Sequence, residues 1–150
     1  MLTERLYTAI VKIDEANSLD ELHKSIAAAK TLLGFHYYAF IQSNSGRSVG
    51  GLLLQDYPDS WVNLQSETYG FAQSPVLQLA SQTATPFEWR EIPSLLSVTP
   101  GQSAYLRLAA AHGLGQGFTV PIHAPGEASA LVSFVNPDDC PIERSSLPHA

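Results

Sequence analysis

The stretch HGLGQGFTVPIH, residues 112–123, decides the fold, because the segment before it predicts a helix and the segment within it predicts a strand. PGQSAYLRLAAAH (100–112) has helical composition, and FTVPI has strand composition with a proline suited to a sheet edge. A phosphate-binding loop needs the reverse order, with the strand before the glycines and the helix after them. We therefore expect Gly113 to end the helix in a left-handed conformation, and Gly115 and Gly117 to turn the chain into the strand.

The same signals recur on both sides of this stretch. Apolar residues at helical spacing predict a first helix, which carries Leu2, Leu6, Ile10 and Ile13. Hydroxyl residues or prolines predict the starts of four more helices, at Ser18 with Glu21, at Pro58, at Ser74-Pro75 and at Thr99-Pro100. Strand composition falls at 36–43, 48–55, 117–123 and 128–134, the first two forming a hairpin. Residues 83–101 are expected to be irregular up to the Thr99-Pro100 start. The order predicts an α+β fold, an α-β-α sandwich whose central antiparallel sheet has about five strands and carries helices on both faces.

Length and composition exclude several classes of protein. The chain has 150 residues, enough for one domain. Its net charge of −6 and its eight basic residues, none adjacent to another, argue against nucleic-acid binding by this chain alone. The single Cys140 cannot form an internal disulfide, and there is no apolar run of the roughly 20 residues that a membrane span needs. The expectation is a cytoplasmic protein with no membrane partner.

No motif in the chain predicts catalysis or a metal. His112 and His123 have no acidic neighbour at metal-ligand spacing, and no G-x-S-x-G motif exposes a serine nucleophile. Both tryptophans, Trp61 and Trp89, fall in an aromatic-rich window between residues 57 and 89. Composition leaves two interpretations of this window open, ordinary core packing and an apolar small-molecule pocket with a few polar groups.

The chain resembles the autoinducer-binding domain of LuxR-type quorum-sensing regulators. The landmarks are LGFHYYAF (33–40), YPDSW (57–61), SPVL (74–77), FEW (87–89) and GLGQGFTVPIHAPGE (113–127). Ser74 stands thirteen residues after Trp61, and Trp89 stands twenty-eight after it, which is the family spacing. The resemblance implies the same α-β-α sandwich, with an N-acyl-homoserine lactone buried between the sheet and the helices on one face.

The resemblance also assigns roles. Trp61 is expected to donate its indole N–H to the lactone carbonyl, and Trp89 to pack against the lactone ring. Thr119 and Ser133 are expected to face the cavity from the closing strands. The full expected ligand-binding set is Tyr57, Trp61, Gln65, Tyr69, Ser74, Val76, Trp89, Leu114, Thr119 and Ser133, with no catalytic residue, no metal and no cofactor.

Two positions depart from the family pattern. Ser74 stands where the family has an aspartate that accepts the ligand amide N–H, and Gln65 stands where it usually has a tyrosine that donates to the acyl carbonyl. Both replacements are neutral, and at Ser74 a neutral hydrogen bond of about 0.5–1.5 kcal/mol replaces a bond to a charged group of about 1.5–3 kcal/mol. Weak lactone binding, another small ligand and an empty pocket all stay open.

Nothing after Phe134 resembles the helix-turn-helix domain that reads DNA in such regulators, and the final helix of the sensor domain is expected to be missing. One hypothesis is therefore a sensor domain of a dimeric transcription regulator. A second is a natural truncation that pairs with a full-length LuxR-type regulator and inhibits it as a heterodimer. A third, much weaker hypothesis is an enzyme such as a lactone hydrolase.

Overall fold

A computed structural model describes residues 15, 17–42, 52–64, 74–123, 130–140 and 142 of the chain. The helices are α1 (Leu19–Leu32), α2 (Asp59–Leu64), α3 (Pro75–Gln82), α4 (Ile92–Leu95) and α5 (Pro100–Ala111). The strands are β1 (Tyr37–Gln42), β2 (Leu52–Gln55), β3 (Phe87–Glu88), β4 (Gln116–Ile122) and β5 (Ala130–Asn136).

The five strands form one antiparallel sheet in the order β2-β1-β5-β4-β3. β1 and β2 are the predicted hairpin, and β1 then pairs with the last strand, so the sheet joins distant parts of the chain. Register places Ala39 opposite Ser133, Ser133 opposite Thr119, and Thr119 opposite Phe87. These four residues lie in one row across four strands and share one face of the sheet, because side chains alternate along each strand.

Each face of the sheet carries its own apolar core, which confirms the predicted sandwich. On one face α1 packs through Ile26 and Leu33 against Tyr38, Phe118 and Phe134. On the other face α2 to α5 and the segment between β3 and α4 pack against the sheet, in a cluster that includes Trp61, Leu79, Trp89, Ile92, Tyr105, Leu114 and Val135. The second face is the one that carries the row of Ser133 and Thr119.

The helix starts occur where hydroxyl residues predict them. Ser74 caps α3 by accepting a hydrogen bond from Leu77 N at 3.3 Å, and Thr99 forms a complete capping box with Gln102 at the start of α5. At α1, Ser18 accepts from Glu21 N at 3.1 Å, but the Glu21 carboxylate accepts from Asn17 N rather than Ser18 N. The predicted box at α1 is therefore wrong in its second bond, although the helix start is right.

Polar contacts also tie α1 to the hairpin. Lys30 Nζ lies 2.5 Å from Asp56 Oδ2, and Tyr38 N donates to Asp56 Oδ1 at 2.7 Å. The Tyr38 hydroxyl bonds to His23 Nδ1 on α1. One carboxylate thus fixes both the helix and the end of β2 next to β1.

The expectation of an irregular segment over 83–101 is partly wrong. Phe87–Glu88 forms the edge strand β3, and Trp89–Glu91 is a turn of 3-10 helix. Ile92–Leu95 is α4, a single turn with its proline near the start. A two-residue strand and single helical turns are too short to show periodicity. The expected first helix (Leu2 to Ile13), residues 48–51, and 128–129 lie outside the described residues. None of the described helices is long and apolar enough to cross a membrane.

Candidate functional site

A small cavity lies between the second face of the sheet and helices α2, α3 and α5. Its volume is about 50 Å³. No charged side chain is among the described residues that line it. Its lining consists of Ile41, Tyr57, Trp61, Ser74, Val76, Leu77, Trp89, Tyr105, Leu106, Ala109, Leu114, Leu131 and Ser133.

Trp89 reaches this cavity because Gly117 of β4 has no side chain beneath the indole ring. A Cβ built on Gly117 would lie 2.1 Å from Trp89 Cδ2 and 2.2 Å from Cε2, well inside van der Waals contact. The indole therefore lies flat on the backbone of β4. The expectation that Gly117 serves the turn is wrong, since the turn residue is Gly113 at a φ of 91° and Gly117 instead makes room for the indole.

The indole N–H of Trp89 starts a chain of buried hydrogen bonds across the sheet. Trp89 Nε1 donates to Thr119 Oγ1 at 2.9 Å, and Thr119 Oγ1 lies 2.6 Å from Ser133 Oγ. Ser133 also acts on the Tyr57 phenol, whose pKa it lowers. Thr119 and Ser133 are almost completely buried, with exposed fractions of 0% and 2%.

The first bond of this chain has a fixed direction. An indole N–H can only donate, so Thr119 Oγ1 accepts from Trp89. Between Thr119 Oγ1 and Ser133 Oγ either hydroxyl can be the donor.

Tyr57 stays neutral in this position. Burial raises the pKa of its phenol far above the usual value, and the nearby Tyr105 and Asp56 add to the shift. The hydrogen bond from Ser133 opposes the shift but is the smaller effect. The phenol is therefore a hydrogen-bond donor across the physiological pH range.

Two further donors border the cavity. Trp61 on α2 is only 3% exposed and packs edge-on against the Tyr105 ring, with centroids 5.2 Å apart. None of the residues that the structure describes accepts a hydrogen bond from its indole N–H. Ser74, 6% exposed, uses its oxygen to cap α3, and its hydroxyl proton likewise has no acceptor within the described part of the chain.

The structure brings most of the expected site residues together. Those that line the cavity are Tyr57, Trp61, Ser74, Val76, Trp89, Leu114 and Ser133. Thr119 does not line it, because the row of side chains places it behind Ser133 with its hydroxyl bonded to the Trp89 indole. Gln65 and Tyr69 lie outside the described residues.

Sequence reasoning missed the wall formed by α5. Tyr105, Leu106 and Ala109 line the cavity, and their spacing of one, three and four residues is that of one helix face. Leu131 was also missed, although it stands two residues before Ser133 and shares its face of β5. Helical periodicity and strand alternation were the signals available for these positions.

The histidines take structural positions. His123 Nε2 lies 2.9 Å from the carbonyl oxygen of Ala80 and 3.0 Å from that of Thr83, so it links the end of α3 to the end of β4. His112 Nδ1 lies 2.9 Å from Ser60 Oγ. Over the described ranges, no three His, Cys, Asp or Glu side chains come together as a metal site.

A sheet with helices on both faces and a buried, donor-lined cavity on one face is the architecture of a small-molecule sensor domain. Residues 18–148 match the family described as the autoinducer binding domain, and the chain belongs to this family.

The curated relatives are transcription regulators. The chain is 28% identical over 119 residues to the transcriptional activator protein AhyR of Aeromonas hydrophila, which covers 77% of this chain and 46% of that protein. It is 32% identical over 83 residues to the transcriptional activator protein BjaR1 of Bradyrhizobium diazoefficiens, covering 55% of this chain and 34% of that protein. The chain thus spans less than half the length of these two relatives.

Solved structures share the fold. The N-acylhomoserine lactone dependent LuxR family factor CepR2 from Burkholderia cenocepacia superposes with a TM-score of 0.77 at 18% identity, over 97% of this chain and 84% of that one. SdiA in complex with octanoyl-rac-glycerol gives a TM-score of 0.69 at 19% identity, over 89% of this chain and 54% of that one. At these identities the likeness establishes the fold alone.

Proposed function

We propose that the domain binds a small neutral acyl signal, an N-acyl-homoserine lactone or a related molecule, in the cavity between the sheet and α2, α3 and α5. The observation that carries this proposal is the Trp61 indole N–H, which is buried at the cavity without a described acceptor. A buried donor without a partner costs about 1–3 kcal/mol, and a ligand carbonyl would remove that cost. The family membership of the chain supports the same function.

The head group and the acyl chain of such a ligand meet different conditions. The hydrogen-bonding groups of Tyr57, Trp61 and Ser74 already border one space. That space is only about 50 Å³, whereas small-molecule pockets have volumes of roughly 300–1,000 Å³. Binding of an acyl chain therefore requires movement of apolar lining side chains, with Leu77 and Leu106 on the helices being the partly exposed ones.

The proposal extends to the whole protein as signal-dependent control of transcription in the cytoplasm, in keeping with the curated regulators. The curated relatives are transcription regulators, which supports a domain that acts by binding a signal. Pairing with a second LuxR-type chain, as a homodimer or as an inhibitory heterodimer, stays a prediction of the sequence resemblance.

A thermal titration tests the proposal. The protein is melted in the presence of N-acyl-homoserine lactones with acyl chains of four to twelve carbons, and tryptophan fluorescence is followed at constant temperature. A ligand that binds only the folded state raises the melting temperature with concentration, and a hundredfold excess over Kd adds about 2.7 kcal/mol. Homoserine lactone without an acyl chain is the control. A melting temperature unchanged by every acyl ligand at its solubility limit would remove the proposal.

A further inference from the structure

The turn from α5 into β4 also contacts the start of α2. His112, the C-cap residue of α5, has its Nδ1 2.9 Å from Ser60 Oγ on α2. Its ring packs at a tilt against the Trp61 indole, with centroids 5.8 Å apart. Gly113 follows at a φ of 91°, and a Cβ built on it would lie 3.9 Å from Pro58 Cγ. The turn therefore packs against the N-terminal end of α2.

The position of α2 depends on such contacts. The helix has six residues, and helices this short are not stable without tertiary packing. Trp61 is the buried residue of this helix, and its indole contacts two rings of α5, Tyr105 edge-on at 5.2 Å and His112. Tyr105 and His112 are seven residues apart, about two helical turns, so they lie on the same side of α5. Two side chains of α5 thus hold one side chain of α2.

His112 differs from Tyr105 in its relation to the cavity. Trp61 and Tyr105 both line the cavity, whereas His112 is not one of its lining residues. His112 also adds a hydrogen bond to its ring contact, and a hydrogen bond has narrower limits of distance and angle than apolar packing. Because Ser60 and Trp61 are consecutive, a bond that fixes the Ser60 hydroxyl restrains the backbone that carries the indole.

We propose that His112 is a positioning residue for ligand recognition, which holds α2 and its Trp61 indole in the place that a bound acyl signal requires. The inference rests on the proposed function, because it concerns the same cavity. Two contacts of one side chain carry it, the hydrogen bond to Ser60 and the ring contact with Trp61. Binding groups keep their geometry only when neighbouring side chains lock them in place. Ligand affinity therefore depends on a residue outside the cavity.

Hydrogen exchange of the Trp61 indole N–H, followed by ¹⁵N NMR, tests the positioning without a ligand. His112→Ala removes both contacts, and the N–H is expected to exchange about tenfold faster than in wild type, because the short helix opens more often. His112→Asn should recover most of the protection, since its side-chain amide can bond to Ser60. The control is His23→Ala, which removes the histidine bonded to Tyr38 on the opposite face of the sheet and should leave the Trp61 rate unchanged.

Two results would contradict the positioning. Equal Trp61 exchange rates in wild type and His112→Ala would show that His112 does not hold α2. An Asn variant that exchanges as fast as the Ala variant would contradict the Ser60 bond as one of the two holding contacts.

Isothermal titration with N-octanoyl-homoserine lactone tests the effect on binding. His112→Ala is expected to bind this probe about tenfold more weakly than wild type, equivalent to about 1.4 kcal/mol, and His23→Ala to keep the wild-type affinity. Each variant loses one histidine contact, so a difference between them is not a general loss of stability. Wild-type affinity in His112→Ala would overturn the role in recognition while leaving the proposed function intact. If the wild-type protein binds no acyl-homoserine lactone, the proposed function fails and the role in recognition fails with it, whereas the exchange rates still report on the position of Trp61.

Discussion

Trp89 and Gly117 fit together so closely that a methyl group on Gly117 would lie 2.1 Å from the Trp89 ring. This contact places the Trp89 N–H on Thr119, whose hydroxyl oxygen in turn lies 2.6 Å from that of Ser133. Gly117 thus helps to position a side chain that lines the cavity.

The variant Gly117→Ala is expected to displace the Trp89 indole and to lower the free energy of unfolding by about 1–3 kcal/mol, as overpacking of a core does. Urea unfolding measures the change. The control is Gly101→Ala, the same substitution at an exposed position of α5, where alanine is expected to be neutral or to stabilise by about 0.5–1 kcal/mol. Equal stability of the two variants would show that Trp89 can move away without cost.

Thr119→Val should cost about 1–3 kcal/mol of stability. Valine is about the size of threonine but has no hydroxyl, so the buried Trp89 N–H loses its acceptor. In a Trp89→Phe background the N–H is already absent, so the same threonine change should cost less. A double-mutant cycle measures this coupling, and additive effects would mean that the two side chains are not energetically linked.

Trp61→Phe should separate binding from stability. The Trp61 N–H has no described acceptor, so its removal costs the ligand-free protein only the packing of the smaller ring. Affinity for an acyl lactone should fall about tenfold, the worth of one hydrogen bond of about 1.4 kcal/mol. Calorimetric titration alongside thermal melting provides both numbers. Unchanged affinity in the variant would place the ligand carbonyl elsewhere.

Alkaline pH should destabilise the fold through two phenols. Burial, with the Asp56 carboxylate as a second cause, raises the pKa of Tyr38 from 10.0 to about 12, and burial raises that of Tyr57 as well. The folded state holds these protons more tightly than the unfolded state, so the free energy of unfolding falls as pH rises from about 10 to about 12. Urea unfolding across this range should show a shallower fall for Tyr38→Phe than for wild type. Identical slopes would contradict the shift at Tyr38.

Local signals in the sequence predicted the frame of the fold. Ser74-Pro75 and Thr99-Pro100 start helices where a hydroxyl cap followed by proline predicts them, and Gly113 ends one in the left-handed region. Each of these features depends on residues within a few positions of one another. The edge strand Phe87–Glu88 was not predicted, because its two residues are a strand only through their pairing with β4.

The site was predicted less completely, for the same physical reason. Strand alternation predicts that Thr119 and Ser133 lie on the face of the sheet that borders the cavity. It does not predict that the Trp89 indole covers Thr119. That relationship depends on the register of β3, β4 and β5 and on the absent side chain at Gly117. The contact between the Thr119 and Ser133 hydroxyls is likewise a property of the assembled sheet.

The most direct test follows the two indole N–H groups by ¹⁵N NMR, since the chain contains only two tryptophans. Trp61→Phe and Trp89→Phe assign the two signals. When an N-acyl-homoserine lactone is added, the Trp61 signal should shift downfield as its N–H gains an acceptor. The Trp89 signal should hardly move, because its N–H is already bonded to Thr119. Two signals that stay in place with every acyl-homoserine lactone at its solubility limit would contradict ligand binding in this cavity.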